Sequence, residues 1–271
     1  MANRDRKSQL PGVSALSGGS AFSSAQEAAL VRREVDVVVH SLKDLPTANA
    51  PGLVLLPPPG REDIRDALCG STLADLRQGA RVGTGAPRRI AQLLAVRSDL
   101  EVVPIRGNVP PRLKKIETMG LDGVVLAVAG LRRLGLEDAI GEILPPDLFP
   151  PSPGQGALGI QIHEDNAAAR EIFSATGDLD TDSQVRAERS LLAELHGGCS
   201  VPLGAYAVSS PDGKLSLFGQ VTSLDGTERV SGRVAGPSGE PEKLGAALAA
   251  DLIGRGAHTI LDAARAATGV R

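Results

Sequence analysis

The run His40-Ser41-Leu42-Lys43-Asp44-Leu45-Pro46 places a hydroxyl, an ammonium and a carboxylate side by side, directly after Val37-Val38-Val39. A carboxylate at the end of a buried strand can serve as general acid or base, and a lysine beside it can hold an anion. Four arginines recur in the same kind of position: Arg88 and Arg89 after Gly83-Thr84-Gly85, then Arg106 and Arg112 on either side of Gly107-Asn108. Guanidinium forks bind carboxylates or phosphates bidentately, and the N–H groups of a strand-to-helix turn favour anions as well. These residues point to a pocket for a polyanionic ligand facing a carboxylate. The plainer readings are a solvated turn at 40–46 and ordinary solvated helix starts for the arginines.

Cys199 stands in the turn His196-Gly197-Gly198-Cys199-Ser200, where glycine removes side-chain bulk and leaves the sulfur open to close approach. Cys69, inside an apolar run, reads as a small core residue. The two cysteines lie far apart without CxxC spacing, which supports neither a disulfide framework nor a zinc site. His40, His163, His196 and His258 share no ligand spacing; each reads as structural or surface, and no metal is expected.

With 29 basic and 32 acidic residues, the net charge of -3 argues against an electrostatically driven nucleic-acid binder. Aromatic residues make up 2% and tryptophan is missing, so stacking platforms for bases are not expected either. No apolar run approaches the roughly 20 residues of a membrane span. No apolar stretch follows the opening Met-Ala-Asn-Arg-Asp-Arg-Lys as in a secretory signal, and a cytoplasmic setting is expected.

The elements that must position these residues follow from periodicity. Residues 1–24 are polar and rich in Gly and Ser, and Ser24-Ala25-Gln26-Glu27 opens a helix over 24–33 with a possible capping box. The valine run predicts a buried, parallel strand at 35–39. Nothing before residue 24 looks able to pair with it, so its neighbours come from later in the chain or the sequence begins within a domain. Strands are predicted at 53–56, at the end of a charged crossing segment over 61–69, at 81–85, 101–105, 123–128 and 157–162. Helices are predicted from Pro87 to 97 and over 112–119, with a proline-rich hinge or crossover at 145–156. This alternation indicates a parallel α/β sheet with right-handed crossovers. A helix follows over 181–195, capped by Thr181 or Asp182. After the cysteine turn, alternating strands at 203–208 and 214–222 flank the hairpin turn Pro211-Asp212-Gly213. A strand at 229–234 and a helix over 241–267 complete a small α+β domain with an antiparallel sheet.

Six ordered motifs make the chain resemble the porphobilinogen deaminase, or hydroxymethylbilane synthase, family. They are Val39-His40-Ser41-Leu42-Lys43-Asp44-Leu45-Pro46, Arg61-Glu62-Asp63-Ile64-Arg65-Asp66-Ala67, Arg106-Gly107-Asn108-Val109, Leu126-Ala127-Val128-Ala129-Gly130-Leu131, Gly154-Gln155-Gly156-Ala157 and Gly197-Gly198-Cys199. The resemblance implies an α/β fold with a bilobal, periplasmic-binding-protein-like two-domain scaffold plus a small C-terminal α+β domain. Domain 1 would take residues 1–59 and 155–176, domain 2 residues 60–154, and domain 3 residues 177–271. It also implies a dipyrromethane cofactor held through a thioether at Cys199, and a catalytic aspartate at Asp44. Arg88, Arg89, Arg106 and Arg112 would bind the acetate and propionate groups of cofactor and growing chain, with Lys43 and Ser41 flanking the cofactor. The implied reaction joins four porphobilinogen molecules head to tail, releasing ammonia through cationic azafulvene intermediates, and hydrolysis yields hydroxymethylbilane. A monomer acting on this small substrate, without nucleic acid or membrane, is expected.

The sequence departs from the family pattern at four places, one of them the loop around Gly18-Gly19-Ser20, which has no lysine where many relatives do. Family members begin with a strand–helix–strand unit that this sequence is expected to lack, which would leave domain 1 incomplete. A Thr-Ser-Ser before the paired arginines reads Thr84-Gly85-Ala86, losing two hydroxyl donors, and Pro110-Pro111 is expected to stiffen the approach to Arg112. A second reading is a non-catalytic anion-binding protein on the same scaffold, or an inactive degraded copy.

Overall fold

The computed structural model describes residues 21–195 and 201–268. In chain order its first elements are α1 (Ala21–Val31), β1 (Val37–Ser41), β2 (Leu53–Leu56), β3 (Asp66–Cys69), β4 (Arg81–Gly83), α2 (Pro87–Val96), β5 (Glu101–Val103), α3 (Val109–Thr118), β6 (Gly123–Ala127), α4 (Val128–Arg132) and β7 (Ile140–Ile143). Then come β8 (Leu158–His163), α5 (Ala167–Ser174), α6 (Leu179–Glu194), β9 (Leu203–Ser209), β10 (Lys214–Thr222), β11 (Arg229–Pro237), α7 (Pro241–Gly254) and α8 (Ala257–Thr268).

Three sheets organise these elements. The first has the order β1-β8-β2, and both pairings are antiparallel. The expected buried parallel strand is therefore an antiparallel one, and among the described residues it lies at a sheet edge. Val39 is 53% exposed while His40 on the next position is buried. Three valines favour extended backbone whichever face is covered, so the run predicts the strand without its surroundings. Its partner β8 comes from more than a hundred residues later in the chain, the first of the two alternatives the sequence allows.

The second sheet, β5-β4-β6-β3-β7, is mixed. Its β4 pairs in parallel with β5 and β6, as the strand–helix alternation predicts, whereas β3 runs antiparallel to both β6 and β7. Pro104 follows β5 and ends it two residues earlier than expected. The prolines 110 and 111 do not delay α3; they occupy its first turn, where backbone N–H groups have no helical partner, and the helix opens at Val109 rather than at 112.

The third sheet is the antiparallel meander β9-β10-β11, backed by α6, α7 and α8 around Leu191, Leu195, Leu215, Leu217, Leu248 and Leu261. Asp178 caps α6 two turns' worth of polar residues before the apolar face begins, accepting the Thr181 N–H at 2.7 Å, in place of the expected cap at 181 or 182. The long final helix is two helices, broken at Gly256, whose φ of 96° a side chain would strain. The short α5, capped by Asn166, has too brief an apolar pattern to be read from sequence.

The sheets meet where two connections cross. Residues 57–65 lead from the first sheet into β3, and residues 144–157 lead back from β7 to β8. Glu62 N–H donates to the Gly156 carbonyl at 3.2 Å, and Gly156, with φ 87°, has no room for a Cβ against Glu62. Beneath the crossing, Glu188 of α6 is fully buried. It accepts a fork from Arg61 at 2.7 and 2.8 Å, the Gly154 N–H at 2.7 Å and the Ala207 N–H at 2.8 Å. One carboxylate thus joins both connections to the third sheet. Glu188→Leu strands a buried guanidinium and two backbone donors, so it is expected to cost about 3–5 kcal/mol. Urea unfolding checks this against Glu240→Ala, which opens the exposed Lys243–Glu240 pair and should leave the midpoint near wild type. Equal losses would contradict the linking role of Glu188.

A candidate anion-binding active site

A cavity of about 930 Å³ opens between the first two sheets. The turn after β1 supplies Ser41, Lys43 and Asp44; the start of α2 supplies Gly85 to Arg89; the start of α3 supplies Asn108, Val109 and Arg112. Gln155 and Arg133 close it from the crossing and from the end of α4.

The turn that carries Asp44 is held from two sides. Residues Leu42–Asp44 form a single 3-10 turn, with the Leu42 N–H on the Ala157 carbonyl at 3.1 Å. Leu42 and Leu45 are buried with Ala157 and Val185, while Pro46 prevents the strand from resuming. From α6, Arg189 donates to the carbonyls of Pro46 at 2.6 Å and Thr47 at 3.2 Å. Backbone fixed this way leaves the exposed Asp44 side chain at the cavity wall.

Asp66, at the entry to β3, is the buried centre of the opposite wall. Arg88 donates to its Oδ2 at 2.8 Å, Arg89 to its Oδ1 at 2.6 Å, and Gln155 Nε2 to Oδ1 at 2.9 Å. Arg88 also donates to the Pro150 carbonyl and to Gln92, and Arg89 to the Val125 carbonyl. Burial opposes ionisation of Asp66, but the facing Arg88, Arg89 and Lys43 outweigh it and hold the carboxyl well below the usual carboxylate range. Two guanidinium groups share this one carboxylate, so the wall keeps an excess of positive charge.

Lys43, Arg88, Arg89 and Arg112 all line the cavity. The buried Nε atoms of Arg89 and Arg112 have no hydrogen-bond partner among the described residues. Burial and the neighbouring Arg89 pull the Lys43 ammonium down to about 8, against the opposing pull of Asp44 and Asp66. Arg112 is also lowered, by burial first and by Arg89 second, with Asp44 acting the other way. Cations crowded around Arg89, two of them lowered by it, suit a ligand carrying several carboxylates.

The structure brings together Ser41, Lys43, Asp44, Arg88, Arg89 and Arg112. Arg106 is not among the lining residues; it is exposed, and its carbonyl accepts from Lys115 at 2.8 Å. Cys199 lies outside the described residues. Cys69 is fully buried in β3, and burial pushes its thiol up to about 11, as suits a core residue. His40 is buried against Gln161 at 3.0 Å, a structural contact. Sequence reasoning assigned no role to Asp66, Gln155 or Arg133. The only local signal was Asp66 itself, a carboxylate opening the apolar strand Ala67-Leu68-Cys69, which needs a buried partner.

Comparison with known proteins bears on this site. The family model described as "Porphobilinogen deaminase, dipyromethane cofactor binding domain" matches residues 3–171, and "Porphobilinogen deaminase, C-terminal domain" matches residues 183–254. A porphobilinogen deaminase of Citrifermentans bemidjiense is 49% identical over 90% of this chain and 77% of its own length. Those of Geobacter sulfurreducens, at 48% over 90% and 77%, and Carboxydothermus hydrogenoformans, at 44% over 90% and 79%, are similar too. Among solved structures, an ABC transporter protein of Parabacteroides distasonis aligns with a TM-score of 0.37 and 17% identity over 65% of this chain and 61% of that one, too slight a likeness to argue from.

Asp66 and Arg112 should separate architecture from ligand binding. Asp66→Asn leaves Arg88 and Arg89 facing each other unneutralised, an expected loss of about 3–5 kcal/mol. Because the folded carboxyl titrates below its unfolded value of about 3.9, its stabilisation is complete above that value and fades as pH falls toward the folded one. Arg112→Gln should leave the unfolding midpoint almost unchanged while weakening retention of a polycarboxylate. Denaturant unfolding between neutral and acid pH, beside ligand titration, checks both, and the reverse pattern would overturn the division.

Proposed function

The chain belongs to the porphobilinogen deaminase family, and from that premise we propose which of its residues carry out the reaction. The reaction condenses four porphobilinogen molecules head to tail, with release of ammonia, into hydroxymethylbilane. The family's dipyrromethane cofactor supplies, when bound, a pyrrole primer whose free end receives the first substrate. The residues present suit that group: the cavity is roomy, its cations exceed its carboxylates, and buried guanidinium N–H groups remain unpartnered.

Asp44 is the catalytic carboxylate. The observation that carries this reading is its place in the same cavity as Lys43, Arg88, Arg89 and Arg112, on a turn fixed from two sides. An aspartate there steadies the positive charge that develops on a pyrrole as ammonia leaves, and accepts the proton shed when ring carbons have joined. Arg89 and Arg112, both lining the cavity, supply the positive charge that draws acetate and propionate groups. Arg88, more fully committed to Asp66, Gln92 and Pro150, supplies charge and fixes the start of α2, while Lys43 and Ser41 flank the primer. Arg106, exposed and outside the lining, is left out of this set. Cys199 is the tether that family membership implies, and Cys69, buried and resistant to ionisation, would be a poor nucleophile.

The three sheets support three domains: 1–59 with 155–176 around the first, 60–154 around the second, and 177–271 around the third. A cytoplasmic monomer acting without nucleic acid or membrane is the setting the balanced composition supports. A purely ligand-binding role is not favoured, because the relatives named above are deaminases.

Cys199→Ser is expected to abolish covalent cofactor attachment, since an alcohol is a far poorer nucleophile than a thiolate near neutral pH. Asp44→Asn should retain the adduct yet lose roughly a hundredfold or more in turnover. Intact-mass spectrometry with a porphobilinogen consumption assay checks both. A wild-type mass on Cys199→Ser, or near-normal turnover by Asp44→Asn, would refute these assignments.

A further inference from the structure

Gln155 is 1% exposed at the crossing of the two connections between the first and second sheets. Its Nε2 donates to the Ile64 carbonyl at 2.7 Å and to Asp66 Oδ1 at 2.9 Å. Both amide protons thus meet acceptors, and a flipped amide would set its oxygen against two others. The amide carbonyl must face the other way, and there Lys43 Nζ donates to Oε1 at 3.0 Å. One side chain therefore connects the lysine beside Asp44 to the Asp66–Arg88–Arg89 cluster.

We infer that Gln155 is the positioning residue for Lys43, holding its ammonium in the cavity and setting the alkaline limit of carboxylate binding there. The inference rests on the reading of the cavity as the primer and substrate site. Lys43 faces Asp44 on its own turn, Asp66 from β3, and Arg88 and Arg89 from α2. The arginines and burial drive its proton off, and the carboxylates retain it. Gln155 adds an acceptor for the ammonium without adding negative charge, so the cavity keeps its cation and its positive excess together. A hydrocarbon in its place removes an acceptor from a desolvated ammonium, whereas a carboxylate holds the proton but cancels charge that the ligand needs.

Trace labelling with isotopic acetic anhydride reports the free-amine fraction of Lys43 directly, without need of turnover. The Lys43 peptide is quantified by mass spectrometry from about pH 6 to about pH 11 in the full chain. With the primer kept off by Cys199→Ser, so that no carboxylate ligand lies beside Lys43, the midpoint is expected near the value of about 8. Gln155→Met should lower it by about one to two pH units, the worth of a hydrogen bond to a charged group. Gln155→Asn, whose shorter stem cannot reach Lys43 and Asp66 together, should lower it by about one unit, which keeps the test alive if the methionine variant folds poorly. The alkaline limb of kcat/KM should move in the same direction in each variant. On a Lys43→Met background, Gln155→Met should change kcat/KM less than about twofold, because the two act as one unit. An unmoved midpoint in both variants, or the same loss with and without Lys43, would make Gln155 merely structural. If Lys43→Met itself left kcat/KM and its alkaline limb intact, the reading of the cavity would fall, and this inference with it.

Discussion

The ionised Asp66, buried between Arg88 and Arg89, is the interaction on which the rest of the site depends. A lone carboxylate would not stay charged at such a depth, and neither would two adjacent guanidinium groups tolerate each other there. Together they are stable, and they tie the first turn of α2 to the entry of β3 while leaving one positive charge over. Because the Arg89 Nη atoms are engaged with Asp66 and the Val125 carbonyl, the guanidinium is fixed in place as a charge on the cavity wall. Charge and orientation are thus settled before any ligand arrives, which is the condition for electrostatic catalysis without reorganisation.

A second buried carboxylate, Glu188, performs the corresponding task for the frame. It holds Arg61 and Gly154, one from each connection, and Ala207 from the third sheet. The two centres are joined through Gln155, whose carbonyl receives Arg61 Nε at 2.9 Å and whose side chain reaches Asp66 and Lys43. Displacement of the third sheet is therefore resisted by the same few residues that keep the cavity wall charged. The cavity thus has a fixed charged wall on one side and the pinned turn of Asp44 on the other.

Much of this was legible in the residues. Pro87 marked the first turn of α2, Pro211-Asp212-Gly213 the hairpin between β9 and β10, and Ser41 to Asp44 the polar end of β1. The arginines at strand ends pointed to an anion pocket, and those at 88, 89 and 112 line a single cavity. What escaped were pairings between distant residues. Asp66 finds its partners 22, 23 and 89 positions away, and Gln155 reaches Lys43 across 112. Periodicity carries no information about such pairs, nor about whether the strand at 37–41 lies inside its sheet or, among the described residues, at its edge. Arg106 shows the converse limit: six residues before Arg112 and ahead of α3, it is exposed and is not among the residues lining the cavity.

The central claim is that Lys43, its pKa lowered by burial and by the neighbouring Arg89, belongs to a cation wall around Asp66 that binds carboxylates and thereby regains its proton. Calorimetric titration of an unreactive dipyrrole bearing acetate and propionate groups into the Cys199→Ser protein tests it directly. Performed in two buffers of different ionisation enthalpy, it counts the protons exchanged on binding. Near pH 8, where Lys43 is half-charged when no ligand is bound, the account predicts net proton uptake on binding, and at about two pH units lower almost none. Binding near pH 8 without proton uptake, or proton release at either pH, would contradict it.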